Sequence, residues 1–171
     1  MPGVKPDQTG DQLDQALQSL AGSPLSVGNS VDILVNGDQI FPAMLAAIDN
    51  ASNEVCFETF IYWSGAIADA FAAALARAAR RGVSVRIVLD WWGAKPMDSS
   101  LAESLLSAGT GIRYFHPLQW YNWRRINHRN HRKILVVDQR LAFTGGVGIA
   151  QEWCGDARTP DEWHDFHYRI E

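Results

Sequence analysis

The chain of 171 residues has few cysteines and no long apolar run. Cys56 and Cys154 lie far apart, which fits neither a disulfide framework nor a metal-binding knuckle, and a cytosolic location is the default. No apolar stretch approaches the roughly 18 residues that a membrane span needs. The first 15 residues are polar and lack the apolar region of a signal peptide. Any contact with a membrane is therefore expected to be peripheral.

An excess of basic charge is also lacking, because the formal net charge is −4. A chain with this overall charge is not expected to bind a polyanion over a broad surface. The segment 124–140 is different, since it holds six basic residues against one acid, Asp138. A local basic patch on an acidic protein favours a site for a small anionic group, and nucleic acid is not an expected partner.

The periodicity of apolar residues predicts strands that alternate with helices. Residues 1–23 are interpreted as a lead-in with a short helix over 11–20, and residues 24–171 as one further domain. Strands and helices follow one another with short connections, which indicates an α/β domain with a mixed, largely parallel sheet flanked by helices. The predicted strands cover 31–35, 54–63, 83–89, 112–115, 134–137, 141–144 and 166–170.

Helix signals occur at three places between these strands. Asp38 is expected to cap a helix that buries Phe41, Leu45 and Ile48. A second helix contains Ile67, Phe71, Leu75 and Ala78 at steps of three and four residues, and it ends with arginines followed by Gly82. A third is predicted over 99–108.

The stretch NHRKILVVD, residues 130–138, carries the chemistry. Side chains two positions apart in an extended segment point to the same side, so His131 and Lys133 are expected to project into one cavity. An imidazole can attack phosphorus and form a covalent intermediate, and an ammonium can hold the non-bridging oxygens. The alternative is a basic entrance to a strand with a solvated histidine, which is the usual interpretation of an isolated His-x-Lys pair.

A longer spacing favours the phosphate chemistry. His131, Lys133 and Asp138 are followed after six more residues by Gly145-Gly146. This pattern resembles the H-x-K-x4-D-x6-G-G signature of the phospholipase D superfamily. The flanking sequences FETFIYWSG and WHDFHYRIE, and the stretch that begins at Asn127, resemble its bacterial cardiolipin synthase-like branch. The resemblance extends from about Pro24 to the last residue.

The resemblance implies roles for individual residues. His131 is the motif histidine, nucleophile or general acid, and Lys133 is the phosphate-binding lysine. Asp138 belongs to the same motif, where it is expected to brace the structure without touching the substrate. Asp165 corresponds to a carboxylate that orients the motif histidine, although an acid at the start of a strand is an equally good interpretation. The phosphate-binding positions are assigned to Asn130, Gly145 and Gly146, the glycines through backbone N–H groups.

Two departures from the family pattern affect function. Many members have an asparagine two residues after the glycine pair, and here that place is taken by Gly148. Members of the lipid branch also use two such motifs around one site, whereas this chain has one. We therefore expect either a C-terminal half with a second motif or a homodimer partner, and little activity from a monomer of this chain.

Aromatic residues beside arginines precede the motif, and Trp120, Trp123 and Arg124 are assigned to a substrate-entrance loop. The H-x-x-H spacings of the chain, at 128–131 and 164–167, suit neither a helix face nor a zinc finger, so no metal and no cofactor is expected.

The leading hypothesis is phosphatidyl transfer between anionic phospholipids through a phosphohistidine at His131, by a cytoplasmic protein peripherally associated with the inner membrane. The alternatives are a phosphodiesterase or nuclease on the same scaffold, and a non-catalytic anion-binding half-domain.

Overall fold

The computed structural model describes residues 8–117 and 129–171, and it describes side chains from residue 12 onward. The described chain divides into two compact units, and the division falls between Ser30 and Val31. The first unit contains helix α1, Gln8–Ala21, whose Leu13 and Leu20 are exposed. In the described ranges we find no helix with the length and apolar character needed to span a bilayer.

In its described residues, 31–117 and 129–171, the second unit has one seven-stranded sheet and three α-helices. Its strands are β1 Val31–Val35, β2 Glu54–Thr59, β3 Ser84–Asp90, β4 Gly111–Phe115, β5 Lys133–Val137, β6 Leu141–Gly145 and β7 Phe166–Ile170. Its helices are α2 Asn36–Asp49, α3 Ala66–Arg80 and α4 Ser99–Ser107, with a 3₁₀ turn at Gln151–Trp153.

The sheet has the strand order β1-β7-β6-β5-β2-β3-β4. This confirms the α/β class and the mixed sheet. The expectation of a largely parallel sheet is wrong, because only β2–β3 and β3–β4 pair in parallel and the other four pairings are antiparallel. The helices α3 and α4 provide the two parallel crossovers, whereas β5 and β6 are joined by a tight turn that reverses the chain.

Aromatic side chains join the helices to the sheet. The Phe71 ring on α3 stacks on Phe57 of β2, with centroids 6.0 Å apart, and meets Phe41 of α2 edge-on at 5.8 Å. Because α2 and α3 both bury their apolar faces here, the core lies on one face of the sheet.

Two predicted boundaries are wrong. Helix α2 begins at Asn36 with Val35 as its N-cap and no capping side chain, so Asp38 lies inside the first turn. Strand β2 ends at Thr59 and does not continue to Trp63. After that residue the chain leaves the sheet, and the Tyr62 hydroxyl turns inward to donate a hydrogen bond to the Ala68 carbonyl at 2.8 Å.

Candidate functional site

The residues of the predicted site lie along one side of the sheet, where several strands end. The carboxyl ends of β2, β3 and β4 lie at this edge, and the antiparallel pairing of β5 with β2 brings the first residue of β5, Lys133, to the same place. The carboxyl end of β6 with Gly145 and the start of β7 follow along the same edge. The carboxyl ends of parallel strands are where α/β sheets place their ligands.

The structure brings His131 and Lys133 together, as their spacing predicts. The Lys133 Nζ lies 3.0 Å from Nδ1 and 3.1 Å from Nε2 of His131, and it donates to the His131 carbonyl at 3.2 Å. An atom equidistant from both ring nitrogens lies off both lone-pair directions, so the ring contact is mainly electrostatic. His131 is exposed whereas Lys133 is only 7% exposed. The imidazole is therefore the more accessible member of the pair.

The aromatic ring of Phe60 contacts both members of this pair. Its ring centroid lies 4.8 Å from that of His131, and the Lys133 Nζ lies 5.7 Å from the centre of the same ring. The aromatic face packs against the imidazole and favours a nearby ammonium. Phe60 was not predicted as a site residue, because its apolar neighbours indicated a longer strand β2.

The environment shifts the pKa of both groups downward. Partial burial and the Lys133 ammonium lower the pKa of His131 below its usual 6.5, and Asp90 acts in the opposite direction. Burial also lowers the pKa of Lys133, while Asp165 raises it. A neutral imidazole at neutral pH is the form that can act as a nucleophile.

Asp90 anchors the segment that enters the motif, and the sequence analysis missed it. It is fully buried at the end of β3. One carboxylate oxygen accepts from the backbone N–H groups of Trp92 and Gly93, at 2.9 and 3.0 Å, and the other accepts from the Asn130 N–H at 2.9 Å. Arg129 lies 3.6 Å away. The sequence signal that could have identified Asp90 is an acid at the end of an apolar strand, directly before Trp-Trp-Gly.

The side chain of Asn130 contacts an acid of the neighbouring strand. It is buried, and its amide donates a hydrogen bond to Glu58. Arg132 approaches the same carboxylate at 4.0 Å. The amide donor is thus engaged by a neighbouring acid, and the assignment of Asn130 to phosphate binding stays a prediction. An open cavity of about 510 Å³ lies in front of these residues and includes His131 and Phe115 in its lining.

Asp138 lies at the opposite end of β5, about 16 Å along the strand from Lys133. Its carboxylate accepts backbone hydrogen bonds from Ser52, Asn53 and Glu54 at 2.7 to 2.9 Å. These bonds lower the pKa of Asp138. The arrangement is that of a brace between the β5–β6 turn and the start of β2, so Asp138 is not near the other candidate catalytic residues.

Removing this brace is expected to affect stability. Asp138→Ala should lower the free energy of unfolding by about 1–2 kcal/mol, since three backbone donors lose a charged acceptor in a partly exposed turn. Asp138→Asn should fall between this variant and the wild type. Because the folded state lowers the pKa of Asp138, the wild-type advantage over Asp138→Asn should be full at pH 7 and shrink below about pH 4. Urea unfolding at both pH values measures this, and an advantage that grows in acid would contradict it.

Asp165 does not contact His131, contrary to expectation. In the part of the chain that the structure describes, its carboxylate accepts from the Trp153 indole N–H at 3.2 Å and from the Phe166 N–H at 2.8 Å. It also lies directly over Gly146, where a Cβ would collide with both carboxylate oxygens. Asp165 is therefore close to Lys133, whose pKa it raises, and an orienting role toward His131 stays a prediction.

The glycine pair has a steric role that the sequence analysis did not foresee. The Gly146 N–H donates to the Phe166 carbonyl at 3.2 Å, so this group is engaged by β7, and its role toward an anion stays a prediction. A Cβ at Gly145 would lie 2.6 Å from the His167 Nδ1 and 2.7 Å from the His167 Cα. The absence of side chains at Gly145 and Gly146 makes room for His167 and Asp165 respectively.

Gly148, at the place of the usual asparagine, is also closely packed. A Cβ there would lie 2.8 Å from the Cβ of Ile61 and 3.3 Å from the Trp153 ring. An asparagine at 148 would not fit without a shift of these residues.

The predicted entrance-loop residues Trp120, Trp123 and Arg124 lie outside the described residues. The His164 Nδ1 contacts the Asn36 Oδ1 at 2.8 Å and links the loop before β7 to α2. Across residues 8–117 and 129–171, no three potential metal ligands converge on one point.

Comparison with known proteins gives relatives over most of the chain. A family model described as "Cardiolipin synthase, PLD-like domain" matches residues 44–154. Cardiolipin synthase B of Salmonella typhi is 37% identical over 146 residues, which cover 84% of this chain and 35% of that protein. Cardiolipin synthase 1 of Bacillus cereus is 33% identical over 161 residues, 93% of this chain and 31% of that protein. The chain thus spans about a third of the length of these relatives.

Solved structures share the fold. The phospholipase D family member Nuc from Salmonella typhimurium superposes with a TM-score of 0.62 and 18% identity over 84% of this chain and 83% of that chain. The phosphatidylserine synthase of Haemophilus influenzae superposes with a TM-score of 0.56 and 13% identity, over 82% of this chain and 32% of that chain. At these identities the likeness shows the fold alone.

Proposed function

Because the chain belongs to the cardiolipin synthase family of phospholipase D-like domains, we propose that it contributes one half of a site that transfers a phosphatidyl group between phospholipids. The observation that carries this proposal is the pairing of an exposed His131 with the buried Lys133 ammonium, 3.0 Å from its ring. The lowered pKa of His131 supports a neutral nucleophile at pH 7.

The transfer has two displacement steps at phosphorus. In the first, a His131 ring nitrogen forms a bond to phosphorus, and the bond from phosphorus to the headgroup oxygen breaks. The departing oxygen takes a proton from a general acid. In the second, the hydroxyl of a phosphatidylglycerol headgroup attacks the phosphohistidine, loses its proton to the same group, and releases His131. Lys133 stabilises the negative charge on the non-bridging oxygens in both steps.

A second half supplies the general acid in this proposal. The chain spans about a third of the length of its curated relatives, so a second half fits within proteins of that length. An exposed apolar surface on the other face of the sheet supports such a partner: Val31 and Ile33 of β1 and Phe166 and Tyr168 of β7 are 42% to 60% exposed and lie together there. Apolar area of this kind favours burial against another domain, either a C-terminal second-motif half or a second copy of the chain.

The proposed substrates determine where the protein must act in the cell. A phosphatidyl donor and a phosphatidyl acceptor both reside in a bilayer, so the site must reach the membrane surface. The proposed location is the cytoplasmic face of the inner membrane, with peripheral attachment.

Trapping the covalent intermediate tests the proposal. The intact protein is incubated with phosphatidylglycerol labelled at phosphorus, quenched in alkali, where phosphohistidine survives, and analysed by mass spectrometry. We expect an adduct on His131, and its loss in His131→Gln. His164→Gln is the matched control, because His164 bonds to Asn36 away from the candidate nucleophile, and it should keep the adduct.

The alternatives predict different results. An adduct formed from single-stranded DNA and not from phosphatidylglycerol would favour a nuclease. The absence of an adduct with either substrate, in a protein that still binds phosphate, would favour a non-catalytic anion-binding domain.

A further inference from the structure

His167 is a buried histidine that the proposed mechanism does not use. It lies on β7 and is only 1% exposed, and both of its ring nitrogens lack a hydrogen-bond partner among the described residues. A buried polar group without a partner opposes folding, and native proteins rarely tolerate one without a functional reason. The position of His167 relative to the site suggests such a reason.

Residues on three neighbouring strands, β5, β6 and β7, form a row across the sheet that includes His167. His167 pairs with Gly145 on β6, and the β5–β6 register, which pairs Ile134 with Thr144, brings Lys133 opposite Gly145 on the other side. Directly paired residues of neighbouring strands share a face of the sheet. Lys133, Gly145 and His167 are therefore neighbours on one face, with the glycine in the middle.

The missing side chain of Gly145 opens the space between the other two. The His167 ring leans into that space, since its Nδ1 lies 2.6 Å from where a Gly145 Cβ would be. Adjacent strands are only about 4.8 Å apart, so the ring extends toward the strand that carries Lys133. Asp165 occupies the corresponding space over Gly146.

The charges around His167 suit a neutral imidazole. Burial lowers the pKa of His167 to about 4; Asp165 raises it and Lys133 lowers it. A neutral imidazole has one acceptor nitrogen and one donor N–H. The two charged neighbours match these groups, because an ammonium can only donate and a carboxylate can only accept.

We propose that His167 is a positioning residue of the phosphate site, which accepts a hydrogen bond from Lys133 and donates one to Asp165 when phosphate is bound. The proposal rests on the proposed function, since it assigns Lys133 to the phosphate. Phosphate oxygens draw the ammonium away from the His131 ring, and a second fixed acceptor then sets the direction of the remaining N–H bonds. A neutral acceptor does this without competing for the negative charge of the substrate.

The test separates a positioning role from simple filling of the core. His167→Phe keeps an aromatic ring and removes both nitrogens. If the residue only fills space, this change should leave phosphate binding unaltered, because an apolar group of similar shape suits a site without hydrogen bonds. If His167 positions Lys133, the thermal stability should stay equal or rise, while the affinity for inorganic phosphate should fall about tenfold.

Isothermal titration of the intact protein with inorganic phosphate measures the affinity, and differential scanning calorimetry measures stability. Lys133→Met shows how far the affinity for phosphate falls when the lysine contribution is lost completely. His167→Gln retains a donor and an acceptor and should recover part of the affinity. His164→Phe is the matched control in the same segment: it should lower stability, since it loses the bond to Asn36, and leave the affinity unchanged.

Each outcome decides the proposal. Wild-type affinity in His167→Phe would overturn it and leave the proposed function standing. A wild-type protein that binds no phosphate would overturn the proposed function, and this inference with it. Weakened binding in a fully folded His167→Phe, with partial rescue in His167→Gln, is the result expected.

Discussion

Lys133→Met is expected to lower kcat/KM for a phosphodiester substrate by about 10³-fold without unfolding the protein. The side chain is 7% exposed, and its ammonium lies 3.0 Å from the Nδ1 of His131. Methionine keeps an unbranched apolar stem that can still pack against Phe60. The change thus removes a charge that stabilises the transition state and preserves most of the buried volume.

The same variant should change the pH dependence of the reaction. The nucleophile must be neutral, so activity falls as the pH drops through the pKa of His131, which lies below 6.5. Burial is the main cause of this lowered pKa and the Lys133 charge the second. Removing the charge raises the pKa of His131, and the acid limb of the kcat/KM profile should move to higher pH.

Steady-state kinetics of the intact protein between pH 5 and 8 measure both effects. Lys95→Met is the matched control, because Lys95 is an exposed lysine above the Trp92 ring, 5.5 Å from its centre, and not at the site. It should retain activity within about twofold. A Lys133→Met enzyme with wild-type kcat/KM, or with an acid limb at lower pH, would contradict the assignment of Lys133.

Local patterns predicted the part of the site that depends on strand period. The two-residue spacing of His131 and Lys133 brings both to the start of β5, with His131 just before the strand, and that relationship needs no knowledge of the remaining fold. The apolar strands and the helix that ends before Gly82 were predicted for the same reason. In each case residues adjacent in the chain determine the result.

The parts that were missed depend on contacts between distant segments. Asp90 reaches Asn130 across 40 positions, and Phe60 meets His131 only because β2 and β5 pair in one register. The direction of β5 and β7 could not be deduced from a strand–helix rhythm, since both pair antiparallel to their neighbours. The contacts of Asp165 were missed for the same reason, because Gly146 and Trp153, which surround its carboxylate, lie elsewhere in the chain.

Gly145→Ala is expected to lower the free energy of unfolding by about 3 kcal/mol and the melting temperature by about 10 °C. The backbone of Gly145 is not in the left-handed region, so alanine is not strained by its own conformation. The cost is steric: the new Cβ would collide with the Phe166 carbonyl and lie 2.7 Å from the His167 Cα. Both are backbone atoms, and β7 would have to move away from β6 to relieve the contact.

Gly111→Ala is the matched control for this substitution. Gly111 also lies in a strand, β4, and its added Cβ would meet nothing closer than the Val85 carbonyl at 3.7 Å. This variant should be neutral or more stable by about 0.5 kcal/mol, because alanine restricts the unfolded chain. Chemical denaturation of both variants measures the difference. Equal stabilities would show that β7 adapts freely, and the glycine at 145 would then not be required to seat His167 beside Lys133.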